Sequence, residues 1–178
     1  ITVVFGLGSH RKQTPDEQKK LVGERAFAEV KCIDGDDSDC VHIGTTRRGT
    51  PVDIVRPVAE ADRRICLGNI EFHYSAGYSG GAKAIMPGVS TRAAIQSNHS
   101  RMVEQAAAAG MLEGNPVRED IEEAAGMVGV DFILNVVLDE HKQIVRAVAG
   151  DVAQAHREGC RYLDQLYAKR IFERVDIV

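Results

Sequence analysis

No basic stripe, no CxxC pair and no apolar run of membrane-spanning length occurs anywhere in this chain. Each absence removes a class of function. Without clustered Lys and Arg, and with a net charge of −4, the chain has no electrostatic footprint for nucleic acid. No apolar run reaches the roughly 20 residues that a helical span needs, and the first residues show no signal-peptide pattern. Neither a membrane nor nucleic acid is an expected partner. The four cysteines, Cys32, Cys40, Cys66 and Cys160, are scattered. That fits a reducing cytoplasm better than a disulfide framework. Cys66 sits in an apolar run and reads as a small core hydrophobe. The acidic run at 34–39 lacks the spacing and closing glutamate of an EF-hand loop, so it reads as a solvated turn.

What is present suits one domain with a sizeable core. The chain has 178 residues, of which 44% are hydrophobic and 27% charged, the balance of a soluble globular protein. No repeat, linker or low-complexity tract divides it. Both ends fall within apolar patterns, ITVVFGL at the start and RVDIV at the finish. A terminus inside a strand leaves backbone groups without neighbours. Residues 1–178 are therefore expected to be a domain-sized piece of a longer chain.

The pattern alternates strands and helices. ITVVFGL (1–7) is a β-branched run. Thr14-Pro15-Asp16-Glu17 predicts a capping box, and Leu21, Val22, Ala26 and Phe27 continue that helix. Val41 and Ile43 mark a short strand. VDIVRPV predicts an edge strand because of Pro57. RRICLGN (63–69) is the next strand. STRAAIQSN and RMVEQAAAAG read as helices, the second ending at Gly110, and VREDIEEAAGMVG as an amphipathic helix. FILNVVLD and QIVRAVAG predict an antiparallel hairpin near 132–149. Residues 151–172 predict a long helix. The fold class expected is α/β, with a mixed, largely parallel sheet flanked by helices and one antiparallel hairpin.

In such folds, sites form where loops leave the carboxyl ends of strands. Two loops qualify, 6–14 and 68–88. The second packs a histidine (His73), a Gly/Ser turn (Ser79, Gly80, Gly81) and an amine (Lys83) into about one loop's length. Small residues in succession expose N–H groups that suit an anion, and a lysine follows. It is not a Walker A loop. A flexible turn with a solvated lysine is the plainer alternative, and a lysine that forms a covalent bond is a third. Gly6-Leu7-Gly8 resembles half of a dinucleotide fingerprint. It reads better as a strand-to-helix turn whose glycines let the backbone bend. His10 and His73 each follow a strand closely, so both rings could face one crevice. His99 stands between two helical stretches. His42, His141 and His156 read as structural or exposed.

Taken in order, GSHRKQT, IGTTRRGTPV and GNIEFHYSAGYSGGAKAIMPGVSTRAAIQSNHSRM closely resemble the nickel-pincer lactate racemase family. The resemblance runs from about residue 5 to about residue 105 in motif form. It implies a nickel-pincer nucleotide, a nicotinic-acid-derived mononucleotide with two sulfur arms. Lys83 matches the lysine that links to it through a thioamide. His99 matches the histidine that completes the nickel coordination. His10 and His73 match two acid/base histidines. Contact of Ser79, Gly80 and Gly81 with the cofactor phosphate is our own expectation rather than part of the resemblance. The implied reaction racemises or epimerises a small 2-hydroxy acid such as lactate. Hydrogen leaves carbon 2 as hydride while one histidine takes the hydroxyl proton, and both return on the other face of a transient 2-keto acid. Imidazoles with near-neutral pKa values suit both directions. The family also carries an Asp/Arg segment earlier in its chain, a Gly-rich segment later and a second closing domain. Those segments lie outside this sequence, so the isolated chain is expected to have little activity. The implied partners are the 2-hydroxy acid, the second domain of the same protein and the enzymes that make the cofactor. A phosphorylated-nucleotide-binding module and a Schiff-base lysine enzyme are the alternatives.

Overall fold

A computed structural model describes residues 1–169. The strand expected at 174–178 and the last residues of the expected long helix lie outside the described residues. Strand β1 (Thr2–Phe5) pairs in parallel with β2 (Lys31–Asp34). Between them run α1 (Pro15–Val22) and α2 (Glu24–Glu29). The capping box at Thr14 is made in both directions, its hydroxyl accepting the Glu17 N–H and the Glu17 carboxylate accepting the Thr14 N–H. The single helix expected here is two, because Gly23 adopts φ 83 and breaks the α-helical backbone. Neither helix buries a residue.

Strands β3 (Cys40–Thr45) and β4 (Pro51–Val55) form an antiparallel pair with an irregularity between His42 and Gly44. The edge strand expected through Pro57 stops at Val55. Arg56–Ala59 instead form a helical turn, α3, in whose first turn Pro57 needs no N–H. Strand β5 (Ile65–Asn69) leads into a two-residue pair, β6 (Phe72–His73) with β7 (Gly77–Tyr78). A 3-10 turn at Gly81–Ala84 and helix α4 (Arg92–His99), capped by Thr91, follow. The helix expected over 101–110 is not formed. A 3-10 turn covers Ser100–Val103, and Glu104 is extended. The tertiary structure takes this segment's polar groups: Gly110 N–H bonds the Gly77 carbonyl, and the Tyr78 hydroxyl donates to the Gly110 carbonyl. Those anchors outweigh the helix preference of four alanines.

Helix α5 (Pro116–Val128) is capped by Asn115, whose side-chain oxygen accepts from Val117 and Arg118. Strand β8 (Phe132–Leu138) pairs in parallel with β5 and antiparallel with β9 (Ile144–Gly150), giving the expected hairpin. Asp139 shapes its turn by accepting from His141 and Gln143. Helix α6 (Gln154–Tyr167) closes the described chain.

The molecule is mixed α/β, as the alternation implies. Its strands fall into four short sheets, among which β1–β2 and β5–β8 are the parallel pairs. The core gathers Val52, Ile54, Met86, Val117, Ile121 and Ile133 around α4 and α5. A second cluster, with Ile70, Val137, Val148 and Leu163, lies under α6. Gly159 lets α6 approach, since a Cβ there would meet Ile70 at 2.3 Å. Cys66 is buried as expected, and burial pushes its thiol up to about 11. Among the described residues no helix is long and apolar enough to cross a membrane.

Candidate active site

The segment after β5 is fastened at almost every residue. The Ser79 N–H bonds the Glu71 carbonyl. Its hydroxyl accepts from the Glu71 N–H and donates to the Asn69 carbonyl. Gly81 N–H donates to the Asn135 side chain at 2.7 Å. Two of the three N–H groups expected to form an anion cradle at Ser79, Gly80 and Gly81, those of Ser79 and Gly81, are thus engaged within the protein. Gly80 and Gly81 serve close packing. A Cβ on Gly80 would lie 2.9 Å from the Asn69 carbonyl, and one on Gly81 would lie 2.8 Å from the His156 ring. Both adopt positive φ. His156 lies beneath the turn and its Nε2 donates to the Ser79 carbonyl at 2.8 Å. Burial, first, and the Arg118 charge lower its pKa to about 4, so the ring is neutral.

Lys83 rises from this fixed turn on the 3-10 segment. Burial, and then the nearby Arg118 guanidinium, lower its amine to about 8. Near neutral pH an appreciable fraction is unprotonated and nucleophilic. His73 ends β6. Its Nδ1 accepts the Ala76 N–H at 3.2 Å, which leaves the proton of the neutral ring on Nε2. The ring stacks on Tyr74 with centroids 4.8 Å apart. Its pKa falls to about 4, through burial and then the charges of Lys83, Arg118 and His99. The near-neutral value expected for this histidine is therefore not met in the free protein. His99 is the last residue of α4. Burial lowers its pKa, the Ile95 backbone opposes that, and Lys83 lowers it further. His73, Lys83 and His99 thus share one electrostatic neighbourhood.

His10 reaches this region differently. Its ring is exposed and makes no hydrogen bond among the described residues. Its loop, however, rests on the end of the Lys83 loop. Gly8 N–H bonds the Gly88 carbonyl at 3.0 Å, and a Cβ on Gly6 would meet Gly88 Cα at 3.2 Å. The two glycines read as half a fingerprint are this loop-to-loop seam.

Arg118 was not legible as a site residue. Its side chain is fully buried, Nε donates to the Ala76 carbonyl at 3.0 Å and Nη2 to the Tyr78 carbonyl. Its Nη1 has no hydrogen-bond partner among the described residues. Its place on α5 gives one signal: Arg118, Ile121 and Ala125 recur at helical spacing on the buried face. Asn115 was missed too; its amide donates to the Ser75 carbonyl at 2.9 Å, joining α5 to the His73 loop.

No group of three or more His, Cys, Asp or Glu among the described residues could hold a metal ion. A metal here would draw most of its donors from a bound group. One half-buried imidazole (His99) and one amine of lowered basicity (Lys83) fit that arrangement.

The sequence matches the lactate racemase N-terminal domain family over residues 1–110. It is 37% identical over 171 residues to a lactate racemase of Lactiplantibacillus plantarum, and 34% identical to one of Thermoanaerobacterium thermosaccharolyticum. Each alignment covers 93% of this chain and 40% of the relative. The chain thus spans less than half the length of these relatives. The structure of the Thermoanaerobacterium thermosaccharolyticum lactate racemase apoprotein superposes with a TM-score of 0.87 at 35% identity, over 90% of this chain and 40% of that one. A Thermotoga maritima protein shares the fold, with a TM-score of 0.82 at 22% identity, over 96% of this chain and 48% of that one.

Proposed function

From the premise that this chain belongs to the lactate racemase N-terminal domain family, we propose that the full-length protein racemises or epimerises a small 2-hydroxy acid, lactate being the default, in the cytoplasm. The observation that carries the reading is the shared neighbourhood of His73, Lys83 and His99. The cofactor is a nickel-pincer nucleotide joined through Lys83, with His99 as the protein's nickel ligand. When bound, this group supplies a two-electron acceptor for the hydrogen on carbon 2.

The chain's own residues do the rest. Lys83 would hold the cofactor through its amine, and its lowered basicity makes the uncharged form available. Ser79, Gly80 and Gly81 fix the turn that carries it: Ser79 is tied to Glu71 and Asn69, Gly81 to Asn135, and the Gly80 carbonyl accepts the Lys83 N–H. For neutral His73 to accept the substrate's hydroxyl proton at Nε2, the ring must carry its own proton on Nδ1, which means giving up the Ala76 N–H bond that Nδ1 accepts in the free protein. A substrate carboxylate beside Lys83 and Arg118 would offset their charge and raise the ring's basicity, so that it can hold the proton. His10, on the adjoining loop, takes the corresponding role for the other enantiomer.

The test uses full-length protein made alongside the cofactor-synthesis enzymes with nickel. Chiral chromatography should show interconversion of D- and L-lactate, and His73→Ala should lose about 10²-fold or more of it. Peptide mass analysis should find a sulfur-bearing nucleotide on Lys83. The lowered amine also suits a Schiff base, so borohydride reduction is included: a reduced pyridoxal adduct would replace this reading with that of an imine-forming lysine enzyme. An unmodified Lys83 that binds nucleotide without turnover would favour a binding module.

A further inference from the structure

Among the described residues, the sheet of β5, β8 and β9 is packed on one face only. Its inner face carries Cys66, Ile133, Val137 and Val148, all buried. Its outer face carries Ile65 (65% exposed) and Leu67 (68%) on β5, Phe132 (41%) and Leu134 (42%) on β8, and Ala147 and Ala149 on β9. Register makes these neighbours: Ile65 opposes Phe132, Leu67 opposes Leu134, and Leu134 opposes Ala149. No charged residue interrupts the face between these strands.

A solvated sheet face alternates apolar-in with polar-out. Over Ile65–Leu67 and Phe132–Leu134 these strands are apolar at outward and inward positions alike, the pattern of strands covered above and below; Asn69, opposite Val136, is the first polar residue on the outward alternation. We propose that the outer face of β5, β8 and β9 is covered by an amphipathic helix of the same polypeptide, from the part of the protein beyond these 178 residues. Three observations favour that occupant. Parallel strand pairs belong mostly to sheets with helices over both faces, and here β5 pairs in parallel with β8 while α6 already covers the inner face. The absence of charge across the patch is the character of a permanent core, whereas transient interfaces are more mixed. The relatives hold more than half their length outside the matched region, ample to supply a helix. The alanines of β9 form a low strip beside taller Leu67 and Leu134, which leaves room for large side chains of the incoming helix. The inference rests on family membership and relative length, and is independent of the catalytic reading.

The test places single cysteines on the face of the full-length protein, Leu67→Cys and separately Leu134→Cys. Each is labelled with a maleimide under native conditions and in urea, with peptide mass mapping to separate the native thiols. The proposal expects native labelling at both positions about 100-fold or more slower than in urea, in a species that elutes as a monomer and is insensitive to dilution. Native labelling as fast as in urea, or protection that disappears on dilution to monomer, overturns it; the latter result assigns the face to a second copy. Either variant alone suffices if the other does not fold. Racemase activity plays no part in the readout, so failure here and failure of the catalytic reading are distinct.

Discussion

Two buried charged side chains sit two residues apart on α5 and are treated oppositely. Asp120 accepts from Thr46 at 2.6 Å, Thr50 at 2.7 Å and Asn98 at 2.9 Å. Arg118 holds two carbonyls and, among the described residues, keeps one nitrogen unpartnered. Asp120 therefore ties the β3–β4 turn and α4 to α5, while Arg118 places positive charge behind the Lys83 loop. Asp120→Ala strands three donors in the core and should cost roughly 3 kcal/mol or more, read as a fall in the urea midpoint of the full-length protein. A midpoint within error of the parent would show that this network carries little of the stability. Neither residue was legible as buried, because a charge on an amphipathic helix ordinarily faces water. Lys83, His73 and His99 were legible as candidates because their residue types sit among loop signals and a family motif.

At the scale of elements, legibility followed locality. The Thr14 box, the Thr91 and Asn115 caps and the 132–149 hairpin form from residues near one another in sequence, and the pattern shows them or their helices and strands. The 101–110 segment was misread because its partners, Gly77 and Tyr78, lie some 30 residues away. Gly77 is the joint of that contact: φ is 76, and a Cβ there would lie 2.0 Å from the Met111 carbonyl oxygen. Gly49 has φ 85 with nothing within 4 Å. Thermal unfolding should rank the two substitutions. Gly49→Ala should cost about 1 kcal/mol, from backbone conformation alone. Gly77→Ala should cost clearly more, roughly 2–4 kcal/mol, because backbone must also move. Equal shifts would mean that the His73–Gly77 pair yields easily.

For the whole molecule, acid should be destabilising well above the range where carboxylates titrate. His73 and His156 are both held near 4, against 6.5 for an ordinary histidine. Between those values the unfolded chain binds protons that the fold excludes. Stability is thus complete above about pH 6.5 and declines as pH falls toward 4. The urea midpoint should be lower at pH 5 than at pH 7.5. His156→Gln keeps a donor for the Ser79 carbonyl and removes one titrating ring, so the difference should shrink. An unchanged difference would place its origin elsewhere.

The engagement of His73 Nδ1 by the backbone has a consequence for proton economy. With that nitrogen's lone pair taken by the Ala76 N–H, the neutral ring keeps its own hydrogen on Nε2. At rest the imidazole is a latched door: it must let go of the backbone and exchange tautomers before it can borrow a hydrogen at Nε2.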